Sequence, residues 1–270
     1  MSRQLAPGMK DDTRYNIRVL DRAFRILSLL SDGKPRTLSE ICESIDLSPS
    51  TTFRLLSTLV YYRYIRRNEM TGQFQLGLAC LELAQGYTYS DDLRRIALAE
   101  LEALRDETKE TVHLVVLDQM QIVYLEKIPG LHAIGLMSSR VGLRSPAYCT
   151  GVGKVLLAYQ KEVTQIEEYY RVNGLERFTS TTITDLEALM AHLAQIRQQG
   201  YALDRGEHEE DVRCVATPVF DINGKVVAAI SISGPSIRMD PIEETNYLIE
   251  RAIMTASDIS RQLGYSANKT

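Results

Sequence analysis

Nowhere does the 270-residue chain run longer than twelve residues without Asp, Glu, Lys or Arg, and Val226 to Ile237 is one such stretch. A membrane-spanning helix needs about 20 consecutive apolar residues, so that class is excluded and no membrane partner is expected. Cysteine is scarce: Cys42, Cys80, Cys149 and Cys214 stand far apart, with no Cys-x-x-Cys pair. Neither a zinc ribbon nor a disulfide framework fits that spacing, and a reducing cytoplasm does. Behind the first charges there is no apolar core, so a secretory leader is not expected. Internal repeats, low-complexity tracts, His-Glu-x-x-His and Gly-x-Ser-x-Gly are also missing, and with them the usual signatures of zinc proteases and serine hydrolases.

What is present divides in two. Residues 1–76 carry 12 Lys and Arg against 8 Asp and Glu, inside a chain whose net charge is −4. A basic head on an acidic body is the distribution expected if only the head meets a polyanion. In that head, Ile17, Leu20, Phe24, Leu27 and Leu30 recur at helical steps over Tyr15–Ser31, and Asp32-Gly33-Lys34-Pro35 ends the run. Thr37 and Glu40 form a capping box for a short second helix, with Leu38, Ile41 and Ile45 inward. Ser48 and Pro49 suit the cap and first position of a third helix reaching Tyr62, with Phe53, Leu56, Leu59 and Val60 inward. Its other face carries Ser50, Thr51, Thr52 and Arg54. Two short extended runs around Asn68–Gly72 then read as a hairpin.

Three helices and a hairpin within residues 14–76 make a winged helix-turn-helix, whose third helix enters a major groove of double-stranded DNA. The candidate DNA contacts are Thr37 and Ser48 at the helix starts, Ser50, Thr51, Thr52 and Arg54 on the third helix, and Arg66 and Arg67 on the wing. Residues 77–90 are too apolar for an exposed linker; they read as a connecting helix that buries a face against another copy.

From residue 91 to 266 strands and helices mix. Asp91 suits an N-cap, and Thr111–Leu117 with Ile122–Ile128 reads as a hairpin, with a third strand at Ala133–Met137. Helices are expected near Val152–Ala158, Val163–Tyr170 and Asp185–Gln199. Cys214–Phe220 and Val226–Ser233 flank the turn Asp221-Ile222-Asn223-Gly224, and Pro241–Leu263 closes the chain with a helix. Antiparallel hairpins packed on helices define an α+β fold.

Little here supports catalysis. Thr150-Gly151-Val152-Gly153-Lys154 invites a phosphate-loop reading, but Tyr148 stands at the first glycine position and Val155 follows the lysine. What remains is a helix start with accessible backbone amides, suited to a carboxylate, or a tight turn with nothing bound. Glu207–Asp211 reads as a solvated acidic loop around His208. Cys214 reads as a small apolar residue opening a strand. Ser231 and Ser233 alternate with Ile230 and Ile232, so both hydroxyls share one face and can line a polar cavity. No catalytic residue, metal site or cofactor is expected. The alternative is a metabolite-converting enzyme with an accessory N-terminal domain, motivated by the carboxylates near His208 and Cys214.

Taken together, these motifs resemble those of IclR-type bacterial transcriptional regulators over nearly the whole length. Arg22-Ala23, Leu47-Ser48-Pro49-Ser50-Thr51 and Tyr124-x-x-Lys127 carry the likeness, with Gly151-Val152-Gly153-Lys154-Val155-Leu156-Leu157-Ala158. So do Glu209-x-x-x-Arg213-Cys214-Val215-Ala216-x-Pro218-Val219-Phe220 and Ala229-Ile230-Ser231-Ile232-Ser233-Gly234-Pro235. Glu110-Thr111-Val112-His113-Leu114 is most similar to regulators of sugar-acid catabolism. The resemblance implies a winged helix, a linker helix and a GAF-like effector-binding domain. It also implies a homodimer or homotetramer on a near-palindromic operator, and a small-molecule effector. The implied effector contacts are Gly151, Val152, Asp204, Val212, Cys214, Ser231 and Ser233. Tyr148 and Cys149 depart from the histidine and alanine of many members.

Overall fold

A computed structural model describes residues 17–90, 92–132 and 137–266. The chain forms two compact units, the first ending at residue 91 and the second beginning at Asp92.

The first unit contains helices α1 (Arg18–Leu30), α2 (Leu38–Ile45) and α3 (Pro49–Tyr61), strands β1 (Ile65–Arg67) and β2 (Phe74–Leu76), and helix α4 (Leu78–Ser90). The capping box forms: Thr37 Oγ1 accepts from the Glu40 amide at 3.3 Å, and the Glu40 carboxylate accepts from the Thr37 amide at 2.7 Å. Asp46, at φ 53°, turns the chain out of α2 in the left-handed region. Pro49 opens α3, where its missing N–H leaves no bond unmade. Arg36 ties the pieces together. Its guanidinium donates to both Asp32 oxygens at 2.8 and 2.6 Å, and its backbone exchanges two hydrogen bonds with Phe74. The core gathers Ile26, Leu30, Ile41, Ile45, Leu56, Leu59, Ile65 and Phe74.

The expected stripe holds only in its second half: Leu30 is buried and Leu27 packs on the core, but Ile17, Leu20 and Phe24 are exposed, and Ile26, outside the stripe, is fully buried. The helix carries apolar residues on two faces, so spacing alone selects the wrong phase. Asp91 and all but Met137 of the strand expected at Ala133–Met137 lie outside the described residues, and Met137 itself is not in a strand.

The second unit runs α5 (Asp92–Thr108), β3 (Thr111–Asp118), β4 (Gln121–Ile128), β5 (Arg144–Pro146), α6 (Gly151–Ala158), α7 (Val163–Asn173) and α8 (Leu186–Gln199). It continues with β6 (Ala202–Asp204), β7 (Val212–Phe220), β8 (Val226–Pro235), α9 (Ser236–Met239) and α10 (Ile242–Gln262). Its six strands lie in the order β5-β4-β3-β8-β7-β6, each pair antiparallel. The α+β class read from the sequence is the one found. Strands β5 and β6 and helix α9 have no counterpart in the sequence reading; at three or four residues each, they are too short to show a period.

Period-two alternation sorts the sheet's two faces. Val112, Leu114, Val215, Ile230 and Ile232 pack on one side with Leu101 and Leu104 of α5 and Leu248, Ala252 and Ile259 of α10. Val115, Ile122, Ala216 and Ala229 pack on the other with α6, α7 and α8. Gly224, at φ +71°, closes the β7–β8 turn.

Helix α6 is buried along its full length, including Lys154. The Lys154 ammonium pairs with Glu207 and donates to the Leu203 carbonyl at 2.9 Å. Glu207 therefore does not belong to a solvated loop as its sequence context suggests; only Glu210 and Asp211 of that acidic run are exposed. Removing one partner of such a pair strands the other charge. Lys154→Met is expected to cost about 3–5 kcal/mol in urea denaturation, with most of that restored by adding Glu207→Leu.

Candidate functional site

Two surfaces hold the residues singled out by the sequence, one in each unit. On α3, Ser50, Phe53, Arg54, Ser57, Thr58 and Tyr61 follow one another at helical steps, and all are exposed. Their opposite stripe, Thr52, Leu56 and Leu59, is buried. Two side chains thus exchange faces relative to expectation: Thr52 points into the core and cannot reach a duplex, and Phe53 points out. The 3.6-residue period explains both, because Thr52 is four residues before Leu56 while Phe53 is beside Arg54.

The remaining expected DNA contacts differ in how free their groups are. Thr37 spends its hydroxyl on the capping box, donating to Glu40 at 2.9 Å. Ser48 occupies the N-cap position of α3 but does not cap it; its hydroxyl lies 3.3 Å from Ser50 Oγ and donates to Thr51 Oγ1 at 3.0 Å. Arg66 and Arg67 are exposed on β1, and the Arg67 guanidinium lies over the Phe74 ring at 5.6 Å from its centre.

In the second unit, a cavity of about 40 Å³ brings together Gly151, Val152, Asp204, Val212, Cys214, Ser231 and Ser233. By volume it holds roughly three water molecules. Three features build it. Thr150 caps α6 by accepting from the Gly153 amide at 3.3 Å, and Gly151 and Val152 open the helix at the cavity wall. A Cβ at Gly153 would fall inside the Ala147 backbone, so only glycine permits this helix to start so close to the chain before it. Register then aligns Cys214 with Ser233 across β7–β8 and His113 with Ser231 across β3–β8.

Sequence reasoning missed several wall residues: His113, Tyr124, Ser139, Thr150, His208 and Glu209. His113 is the most telling. It lies in a β-branched run with no spacing motif, and only strand pairing reveals that it faces the two serines. Its Nδ1 is 3.2 Å from Ser231 Oγ and 3.4 Å from Ser233 Oγ, and its Nε2 is 2.9 Å from Ser139 Oγ.

The groups around the cavity are electrically tense. Burial, and secondarily Lys127, pushes the His113 pKa down to about 3, so the ring is neutral. Asp204 is buried and accepts from the Gly206 and Glu207 amides at 3.1 and 2.9 Å, yet desolvation still pushes its carboxyl up. Glu209 accepts from Ser138 Oγ at 2.6 Å. Burial also raises the Cys214 thiol, which stays protonated at neutral pH and is a poor nucleophile.

A second cavity, of about 290 Å³, shares Met137 and Val212 with the first and is lined by Glu110, Lys127 and Arg238. Arg238 grips Glu110 with two hydrogen bonds, at 2.5 and 2.9 Å.

Comparison with known proteins adds the following. Residues 19–69 match the family described as the IclR helix-turn-helix domain, and residues 85–261 match that described as bacterial transcriptional regulator IclR C-terminal. The HTH-type transcriptional regulator XynR of Escherichia coli (strain K12) is 38% identical over 254 residues, 93% of this chain and 99% of that protein. The HTH-type transcriptional regulator KdgR of the same organism is 38% identical over 248 residues, covering 90% of this chain and 92% of KdgR. Among solved structures, an IclR homologue from Microbacterium hydrocarbonoxydans, complexed with 4-hydroxybenzoate, superposes with a TM-score of 0.79 at 28% identity. That match covers 92% of this chain and 100% of the other.

The Thr52 hydroxyl is buried without a hydrogen-bond partner. Thr52→Val keeps the shape and removes the unpaired group, so it is expected to stabilise the first unit by about 1 kcal/mol and to leave DNA affinity unchanged. Thermal denaturation and a duplex-binding titration of the same variant check both halves.

Proposed function

Because the chain belongs to the IclR family of bacterial transcriptional regulators, we propose that it reads a near-palindromic operator as a homodimer, under control of a hydroxylated carboxylate held in the α6 cavity. That it is a DNA-binding transcriptional regulator rather than an enzyme follows from its family and relatives. The enzyme alternative falls with that, and the protonated Cys214 offers it no nucleophile.

The observation that carries the effector class is the meeting, in one cavity, of a helix start with hydroxyls and a carboxylate. The first amides of α6 have no partner within the helix, and the positive end of its dipole favours an anion. Ser231, Ser233, Asp204 and Glu209 offer partners for the hydroxyls of a sugar acid. The bound molecule of the Microbacterium homologue, 4-hydroxybenzoate, has the same two kinds of group. The cavity as it stands takes only a small part of such a molecule, and the remainder extends past Met137 and Val212 into the neighbouring space.

On DNA, Arg54 and Phe53 reach base edges, the guanidinium toward guanine and the ring toward a thymine methyl, while Arg66 and Arg67 hold phosphates. Support for a dimer comes from the exposed apolar residues Ile17 just before α1, Leu20 and Phe24 on it, and Leu78, Leu81 and Leu83 on α4. A second copy covers them and sets two α3 helices about 34 Å, or a multiple of it, apart. Joining two dimers gives the tetramer. Among the described residues no helix is long and apolar enough to cross a membrane, and the site of action is the cytoplasm, where operator DNA lies. The effector acts only through a difference in its affinity for two arrangements of the dimer.

Arg54→Ala is expected to weaken the specific operator by about 1–3 kcal/mol more than random duplex, in parallel titrations. Arg66→Ala is expected to weaken both alike and to lower the slope of log affinity against log salt by about one. For the cavity, D-glycerate and D-gluconate are expected to bind where the neutral polyols glycerol and sorbitol do not. Ser231→Ala with Ser233→Ala should abolish their effect on operator footprints while leaving ligand-free DNA binding intact.

A further inference from the structure

His113 stands on the sheet face that forms the cavity floor, and its hydrogen-bond partners suit two protonation states equally. Both ring nitrogens face serine hydroxyls: Ser231 and Ser233 at Nδ1, Ser139 at Nε2. A hydroxyl donates or accepts by rotating its proton, so these three serines satisfy a neutral ring and a doubly protonated one without moving a heavy atom. Hydrogen bonding is therefore indifferent to the charge of His113, and electrostatics decides it.

The charged and titratable neighbours come from three elements. On β4, Lys127 stands directly across from His113, and the Tyr124 ring lies 5.2 Å from the imidazole. Lys127 is held in place beside the ring by the Ser139 and Met137 carbonyls at 2.6 and 3.4 Å; burial lowers its pKa and the Glu209 carboxylate opposes that. On β7, Cys214 is protonated, as is Tyr124, both by burial. From the end of β6 and the segment after it come Asp204, His208 and Glu209. Glu209 is engaged by Ser138, and His208 packs against Phe178 at 4.9 Å. Strand β8 contributes only serines at this position.

Resting on the carboxylate reading above, we propose that His113 is the charge-reading residue of the cavity. It is neutral without effector and takes a proton from solvent onto its unprotonated ring nitrogen, whose serine partner turns from donor to acceptor, when a monocarboxylate enters. The entering negative charge offsets Lys127 and the desolvation that kept the ring neutral, and the imidazolium then offsets the charge of the ligand. A neutral polyol of the same shape brings no charge to exchange. Selectivity for the acid thus includes a proton as well as the helix amides. Asp204 is the rival acceptor, because burial raises its carboxyl too.

The sign follows from linkage. The complex binds one more proton than the free protein, so affinity falls as pH rises, by as much as tenfold per pH unit above the pKa of His113 in the complex. The test is calorimetric titration of D-glycerate and D-gluconate into the full-length protein between about pH 6 and 8, where both acids are ionised. Running it in PIPES and in imidazole counts the protons taken up. Uptake approaching one proton per bound ligand at the acidic end is expected for wild type and, at whatever reduced affinity it retains, for Asp204→Asn. His113→Gln should bind with no uptake and with affinity independent of pH. Should that variant misfold, ring-nitrogen NMR of the wild type decides: one of the four histidines gains a second ring proton on adding acid. Acid binding with no proton uptake, or uptake that persists in His113→Gln or disappears in Asp204→Asn, overturns the proposal and leaves the carboxylate reading standing. No binding of either acid at any pH removes both.

Discussion

The buried pair of Lys154 with Glu207 is the constraint on which the second unit's cavity depends. An ammonium with no solvent exposure is tolerated only with a counter-charge and satisfied donors, and Glu207 and the Leu203 carbonyl supply them. Because Lys154 is on α6 and its partners lie at and just beyond β6, the pair fixes where the helix begins relative to the segment that carries Asp204 and Glu209. The segment is bound again from outside: Thr179 and Thr182 donate to the Gly206 and Glu207 carbonyls at 2.7 Å each. Asp204 is therefore carried on a segment that is itself bonded on both sides.

That arrangement explains a failure of motif reading that was nonetheless informative. Gly151-Val152-Gly153-Lys154 has the look of a phosphate loop with its outer positions wrong. In the structure, the lysine serves neither phosphate nor solvent; it turns away from the helix start and anchors it. The glycines do what glycines in such loops do, permitting close backbone approach, and the anion preference of the helix start survives without the lysine.

How much was legible from the sequence depended on whether a residue's neighbours were local. Ser231 and Ser233 were legible because alternation in one strand suffices to place them on a face. Gly151 and Val152 were legible as a helix start. His113 was not, because a single histidine in an apolar strand has no periodic signature, and its meaning lies in pairing with β4 and β8. Glu207 looked solvated for the same reason, since its partner is 53 residues away. In the first unit the error was one of phase. Helices α1 and α3 carry apolar residues beyond those that fill their own core, so spacing places Phe24 and Phe53 inward when both are exposed. Apolar residues that spoil a helix's phase in this way leave exposed apolar surface on both helices.

The sheet face that meets α6 changes character along its length, and that change is what a sensor requires. At one end Val115, Ile122, Ala216 and Ala229 pack densely against helices. Toward the other, the same strands present His113, Ser231, Ser233 and Cys214 to a small cavity. Filling those positions with aliphatic side chains would give a more stable domain, because each buried polar group must be compensated. Retaining them leaves a region whose stability depends on what occupies it. A ligand bridging α6, the segment after β6 and the central strands adds bonds to three elements at once, so its binding energy is available to favour one arrangement of those elements over another. A difference in the ligand's affinity for two such arrangements is the physical requirement for coupling to DNA affinity.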